Sequence, residues 1–173
     1  RESKKSNHLL LLAENETGWH NLIKLISIAN TQGFYYKPRI DRELLAKYHE
    51  GIIASSACLA GEIPQFILHD NLEAARKRAV TYRDIMGERN FFLEIMPNSL
   101  PEQKKVNQAI VEISRLENIP IIATGDAHYL EKRDYEWHKI LLRVNTHADA
   151  NDDAFGFSNN DFYLKSAEEF YNE

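Results

Sequence analysis

Residues Ile119–Leu130 read Ile-Pro-Ile-Ile-Ala-Thr-Gly-Asp-Ala-His-Tyr-Leu. Apolar residues around a Pro predict a short buried strand, and Gly125 then breaks it. Asp126 and His128 follow, two residues apart. If the chain stays extended there, their side chains project to the same side. Just past the end of a buried strand is where an α/β enzyme places metal ligands or a general base. Asp-x-His is also a short pattern with many chance matches. The plain alternative is a strand-to-helix loop in which Asp126 binds backbone amides and His128 is partly exposed.

Outward from this stretch, strands and helices alternate. His8 to Ala13 predicts a strand whose Leu run suits burial on both faces. Thr17 is placed to cap a helix presenting Trp19, Leu22, Ile23, Ile26 and Ala29 on one face, ending at Gly33. Phe34-Tyr35-Tyr36-Lys37-Pro38-Arg39 forms an aromatic and basic loop before a short helix over Asp41 to Tyr48. Such a loop could stack on and pair with a nucleotide or phosphate. The plainer reading packs the aromatics onto the body and leaves the cations solvated. Gly51 to Ala57 is the second strand and delivers Cys58. Helices follow over Glu62 to His69 and Leu72 to about Met86, then a strand over Asn90 to Met96.

Glu94 lies within that third strand, where a buried charge is costly unless paired. It either faces a cavity or meets a Lys or Arg. Ser99 and Glu102 have capping-box spacing at the head of the next helix. After the Ile119 strand, Lys132 to Val144 is helical, with Trp137 and His138 as structural residues. Asn145 to Asn160 is a polar loop, Phe162–Leu164 is extended, and Ser166 with Glu169 opens a last helix. Alternating strands and helices predict a mostly parallel sheet with right-handed crossovers. Four strands are too few to close a barrel, so the expectation is part of an α/β barrel. Glycine-rich nucleotide loops of the usual patterns are missing, which counts against Rossmann and P-loop folds.

The chain has 173 residues, 43% hydrophobic and 27% charged, with a formal net charge of -5. That charge argues against a module that coats nucleic acid, without excluding a metal centre acting on a phosphate ester. Cys58 is the one cysteine, so no internal disulfide forms and a reducing, cytoplasmic setting is expected. No apolar run reaches membrane-spanning length. The chain opens without Met and closes within a predicted helix, as a piece of a longer protein would.

In a parallel barrel the strand ends converge, which would bring Cys58, Asp126 and His128 together as a set suited to zinc or a similar divalent ion. His8 is awkward in that scheme: at the start of its strand it belongs on the far face.

Extended motifs carry a resemblance. They are His8-Leu-Leu-Leu-Leu-Ala-Glu-Asn, Thr17-Gly-Trp-His-Asn-Leu-Ile and Gly33-Phe-Tyr-Tyr-Lys-Pro-Arg-Ile-Asp41. Glu50 to Pro64, Leu100-Pro-Glu-Gln-Lys-Lys-Val-Asn107, Ala123-Thr-Gly-Asp-Ala-His-Tyr129 and Asp161-Phe-Tyr-Leu-Lys-Ser166 continue the series. In this order they resemble the PHP (polymerase and histidinol phosphatase) domain of bacterial DNA polymerase III alpha subunits, and residues 1–173 then form the later part of that domain. The resemblance implies part of a distorted (β/α)7 barrel with metal ions in a cleft at the strand ends. His8, Cys58, Asp126 and His128 look like four of its metal ligands, with zinc the first choice of ion and manganese or magnesium the alternatives. Motifs supplying the remaining ligands, a His-x-His, an Asp-His and a Glu, have no counterpart here. Gly125 stands where many relatives have Asn.

By the same resemblance the longer protein synthesises DNA and works with DNA and other polymerase III holoenzyme subunits, with no membrane. The domain itself would be a metal-dependent phosphoesterase or 3′–5′ exonuclease whose general base is unassigned. The alternative is a metal-stabilised scaffold that supports the polymerase and binds partner subunits. Without the resemblance, an unrelated metal-dependent hydrolase fits the same residues. The 173 residues alone are expected to be inactive.

Overall fold

The computed structural model describes residues 6–146, 157 and 159–172. Most of the predicted loop over Asn145 to Asn160 lies outside the described residues. The chain forms two compact units, Arg1–Ile95 with Lys105–Ile122, and Met96–Lys104 with Ala123–Glu173.

The first unit is an α/β structure. Its four strands are β1 (Leu10–Ala13), β2 (Ile52–Ser55), β3 (Phe91–Ile95) and β4 (Ile121–Ala123), lying side by side in chain order. Strands β2 and β3 run parallel, as expected, and Leu93 N–H donates to the Pro120 carbonyl at 2.9 Å. Strand β1 runs antiparallel to β2, with Leu10 opposite Ser55 and Ala13 opposite Ile52. That reversal corrects the expectation for His8: the start of β1 sits beside the C-terminal end of β2. The Leu run is also buried on one face only. Leu9 and Leu11 pack against the core, whereas Leu10 and Leu12 are 41% and 54% exposed.

Helices α1 (Glu16–Thr31), α2 (Arg42–Lys47), α3 (Glu62–Leu68), α4 (Leu72–Met86) and α5 (Pro101–Glu117) connect the strands. Asn15, not Thr17, caps α1, its Oδ1 accepting from Gly18 N–H at 3.0 Å. The buried side of α1 is Gly18, Asn21, Leu25 and Ala29. Trp19, Ile23 and Ile26 are exposed, because a helix apolar over most of its circumference can bury only one stripe. Gly18 faces the backbone of Gly51: a Cβ there would lie 1.7 Å from the Gly51 carbonyl oxygen. The core gathers Leu25, Leu45, Ile52, Ile63, Phe91 and Ile110, all nearly inaccessible to solvent.

In the second unit the backbone of His128 donates to the Phe162 carbonyl at 2.8 Å, and Tyr129 bridges Tyr163. A 3-10 turn, Lys132–Asp134, leads into α6 (Tyr135–Thr146). Ser166 and Glu169 form the expected capping box at α7 (Ala167–Tyr171). At the other expected box, Ser99 has a distant partner. Ser99 instead turns to Asp161, its N–H donating to the carboxylate at 3.0 Å and its hydroxyl donating to the same oxygen.

Candidate metal centre

Beyond β2 the chain turns sharply. Ala57 adopts φ 58°, and Gly61 N–H donates to the Cys58 carbonyl at 2.8 Å. Gly61 has no room for a side chain, since a Cβ would lie 2.2 Å from the Ser56 oxygen. His8 pairs with the same turn: it bridges Gly61, and its N–H donates to the Ala60 carbonyl at 3.0 Å. The two side chains thereby meet, with Cys58 Sγ 3.5 Å from His8 Nδ1. Two ligands of one tetrahedral zinc, with bonds of about 2.3 Å to sulfur and about 2.0–2.1 Å to nitrogen, are held about 3.5 Å apart. The pair therefore fits zinc in both spacing and donor softness.

Asp126 and His128 are placed by the second unit. The chain does not stay extended there, because Asp126 has φ 47°, a left-handed conformation that Asp tolerates better than most residues. Gly125 needs no such freedom. A Cβ on it would meet Phe170 at 3.7 Å, an ordinary contact, so the position has room for a side chain. His128 Nδ1 lies 2.7 Å from the Asp126 carbonyl oxygen, so Nδ1–H donates to it and Nε2 is left as the basic nitrogen. That is the usual way a ligating imidazole is fixed in tautomer and orientation.

Phe157 and Phe162 pack around the His128 ring, at centroid distances of 4.6 Å and 5.7 Å. His138 stands 6.1 Å away and stacks on Phe157, consistent with a packing role. Burial, with the His128 charge adding, lowers the His138 pKa below the ordinary imidazole value. Trp137 is exposed on α6 and packs no core.

The structure thus brings His8 and Cys58 side chains together in the first unit, and in the second unit sets the His128 ring against the Asp126 carbonyl. Among the described residues no group of three or more His, Cys, Asp or Glu is arranged to hold a metal ion. Glu94 is 4% exposed, and its carboxylate accepts the Ser55 hydroxyl, so a neighbouring β2 serine supports the buried charge. Its backbone N–H donates to Ser56 Oγ at 2.9 Å.

A cavity of about 870 Å³ in the first unit is bordered by His8, Lys37, Arg39, Arg42, Glu62 and Tyr82. Sequence reasoning did not identify this cavity, whose lining comes from β1, the aromatic loop, α2, α3 and α4. Glu62 is fully engaged there, 3.3 Å from Arg42, 3.2 Å from Arg78, and accepting Tyr82 O–H at 2.8 Å. Burial, reinforced by Glu62, pushes the Tyr82 hydroxyl up to about 12.

Comparison with known proteins identifies the family. The family described as PHP domain matches residues 1–98. The DNA polymerase III subunit alpha of Thermus aquaticus is 46% identical over 163 residues, covering 94% of this chain and 13% of the relative. That of Deinococcus radiodurans is 43% identical, covering 94% of this chain and 12% of the relative. That of Treponema pallidum is 42% identical, covering 93% and 14%. The chain thus spans only a small part of the length of the curated relatives it matches.

Proposed function

The chain belongs to the PHP domain family, and from that premise we propose that it is the later part of the PHP domain of a bacterial replicative DNA polymerase. Its own chemistry in this reading is metal-dependent phosphoester hydrolysis, directed at the 3′ end of a DNA strand. The observation that carries the reading is the His8–Cys58 pair, two residues 50 positions apart brought to zinc-ligand spacing. In this reading His8, Cys58, Asp126 and His128 each serve as a metal ligand, and ligands outside this sequence complete the set. Divalent ions there would lower the pKa of water, polarise the phosphate and stabilise the leaving oxygen. Within the chain, Gly61 and the Ala60 carbonyl fix the thiol–imidazole pair, and the Asp126 carbonyl fixes the His128 tautomer.

DNA synthesis, association with DNA and with other holoenzyme subunits, and a cytoplasmic setting belong to the same proposal. No helix among the described residues is long and apolar enough to cross a membrane. With the ligand set incomplete, the 173 residues alone are inactive in this reading. A second reading has a specific support: thiolate ligands predominate in structural zinc sites, so the metal could serve stability alone, in a scaffold for the polymerase and its partners.

One experiment separates the two. Release of nucleotides from a 3′-labelled single strand is followed with the intact polymerase subunit in zinc or manganese, for wild type, Asp126→Asn and Cys58→Ala. Hydrolysis lost in both variants, with polymerisation retained, supports the nuclease. No hydrolysis in wild type, with metal bound stoichiometrically and melting lowered by a chelator, supports the scaffold.

A further inference from the structure

We propose that Ser55 and Ser56, clamped onto Glu94 of β3, are positioning residues for Cys58: they take β2 out of the sheet at the point from which the thiol reaches His8. The inference rests on the reading of His8 and Cys58 as metal ligands, and it holds for a catalytic or a structural metal alike.

The hydrogen-bond ladder between β2 and β3 shows how. Between parallel strands the bonds recur at even spacing. Ala54 N–H donates to the Asn90 carbonyl at 2.8 Å, and two residues on, Ser56 N–H donates to the Phe92 carbonyl at 3.1 Å. The next rung of that pattern would run from Glu94 N–H back to the Ser56 carbonyl. A side chain makes it instead: Glu94 N–H donates to Ser56 Oγ at 2.9 Å. The hydroxyl stands in for the carbonyl as acceptor, and the carbonyl is released to the turn. Its oxygen faces Gly61, where a Cβ would lie 2.2 Å away, and Ala57 takes φ 58° directly after it. Cys58 follows, with Sγ 3.5 Å from His8 Nδ1.

Ser55 holds the same residue by its side chain, donating its hydroxyl to the Glu94 carboxylate. Consecutive side chains of a strand point to opposite faces, so two neighbouring serines meet one residue only where the chain has begun to turn. Ser55, Ser56 and Glu94 are all buried, and removing one partner of a buried hydrogen bond leaves the other unsatisfied. A clamp that only held the sheet together could use the ordinary Ser56 carbonyl rung. Exchanging that rung for the hydroxyl changes the direction the chain takes next, and the next residues are Ala57 and Cys58.

The test uses the intact polymerase subunit in wild type, Ser56→Ala and Ser55→Ala. Ser56→Ala deletes the substitute acceptor, so Glu94 N–H is expected to draw the Ser56 carbonyl back to the ladder and Cys58 away from His8. Ligand distances tolerate only about 0.2 Å, so zinc affinity, measured by competition with a chromophoric chelator, should fall about 10- to 100-fold. The thiolate-to-cobalt band of the cobalt-loaded protein should weaken in step. Ser55→Ala leaves the rung itself in place and should move both readouts in the same direction by less. Ile110→Val is the control: it trims a buried core residue of α5, which lowers the urea midpoint and should leave affinity and band as in wild type.

A Ser56→Ala protein with wild-type affinity and an undiminished band overturns the proposal. So does an Ile110→Val protein that loses as much, since the clamp would then act through stability alone. A wild-type cobalt spectrum identical with that of Cys58→Ala defeats the reading of Cys58 as a ligand, and the proposal with it. A Cys58-dependent band that Ser56→Ala leaves unchanged defeats the positioning alone.

Discussion

Substituting Gly61 by Ala tests whether the turn after β2 sets the geometry of the candidate metal pair. The new Cβ would lie 2.2 Å from the Ser56 oxygen and 3.1 Å from the Cys58 oxygen. Ordinary contact begins near 3.4 Å, so the Ser56–Cys58 backbone must retreat by about 1 Å. Overpacking of this kind costs about 1–3 kcal/mol, read as a lower urea midpoint with the slope unchanged. The larger effect falls on the metal. Ligand distances tolerate only about 0.2 Å, so a ~1 Å shift of Cys58 against His8 removes one ligand in practice, and zinc affinity drops 10- to 100-fold or more. Competition with a chromophoric chelator gives the affinity, and the thiolate-to-cobalt charge-transfer band of the cobalt form reports on Cys58 directly. Gly87→Ala is the matched control: φ 89° strains a side chain there, yet nothing lies within 4 Å of its Cβ. It should cost about 1–3 kcal/mol and leave the cobalt band intact. A Gly61→Ala protein destabilised as expected, but with wild-type zinc affinity and an undiminished band, would refute the reasoning.

Other substitutions probe the rest of the fold. Ser55→Ala removes the hydroxyl that the buried Glu94 carboxylate accepts, and should cost about 1–3 kcal/mol in urea denaturation. A double-mutant cycle with Glu94→Gln isolates the coupling between the two side chains. Asp161 feels burial, which raises its pKa, but hydrogen bonds from the Ser99 hydroxyl and N–H, with Lys165 and Lys132 adding, hold it below the ordinary carboxylate value. A depressed folded pKa gives stability that is present above the unfolded value, about 3.9, and is lost as pH falls through the folded one. The destabilisation of Asp161→Asn, read by urea denaturation, should therefore be complete at neutral pH and fade on acidification below about pH 4. His128→Ala should abolish 3′ hydrolysis by the intact subunit, whereas His138→Phe, which keeps the stacked ring on Phe157, should largely retain it.

Sequence patterning located most elements because their signals are local. Helix α4 was legible over Leu72 to about Met86, and the structure shows Asn71 capping it and Gly87 at its end. The buried stripe of α1 was misread because Trp19, Ile23 and Ile26 are as apolar as the residues facing the core, and only the close approach of Gly18 to Gly51 selects the stripe. The Ser99–Glu102 spacing was right for a capping box, yet Ser99 found Asp161, 62 positions away, as its partner. Strand direction left no local trace either. Nothing in His8 to Ala13 announces that β1 runs against β2, and the resemblance alone had placed His8 near Cys58. The left-handed turn at Asp126 was likewise hidden, because Asp is compatible with several turn conformations.

The sheet order β1-β2-β3-β4 repeats the order of the chain. During synthesis each of the described strands therefore emerges to find the preceding one already made. Loop closure costs grow only logarithmically with the helical crossovers between strands, so the sheet can extend stepwise, one strand-helix unit at a time. The backbone bonds that join His8 to the Cys58 turn need only β1 and β2, so they can form before β3 and β4 emerge from the ribosome.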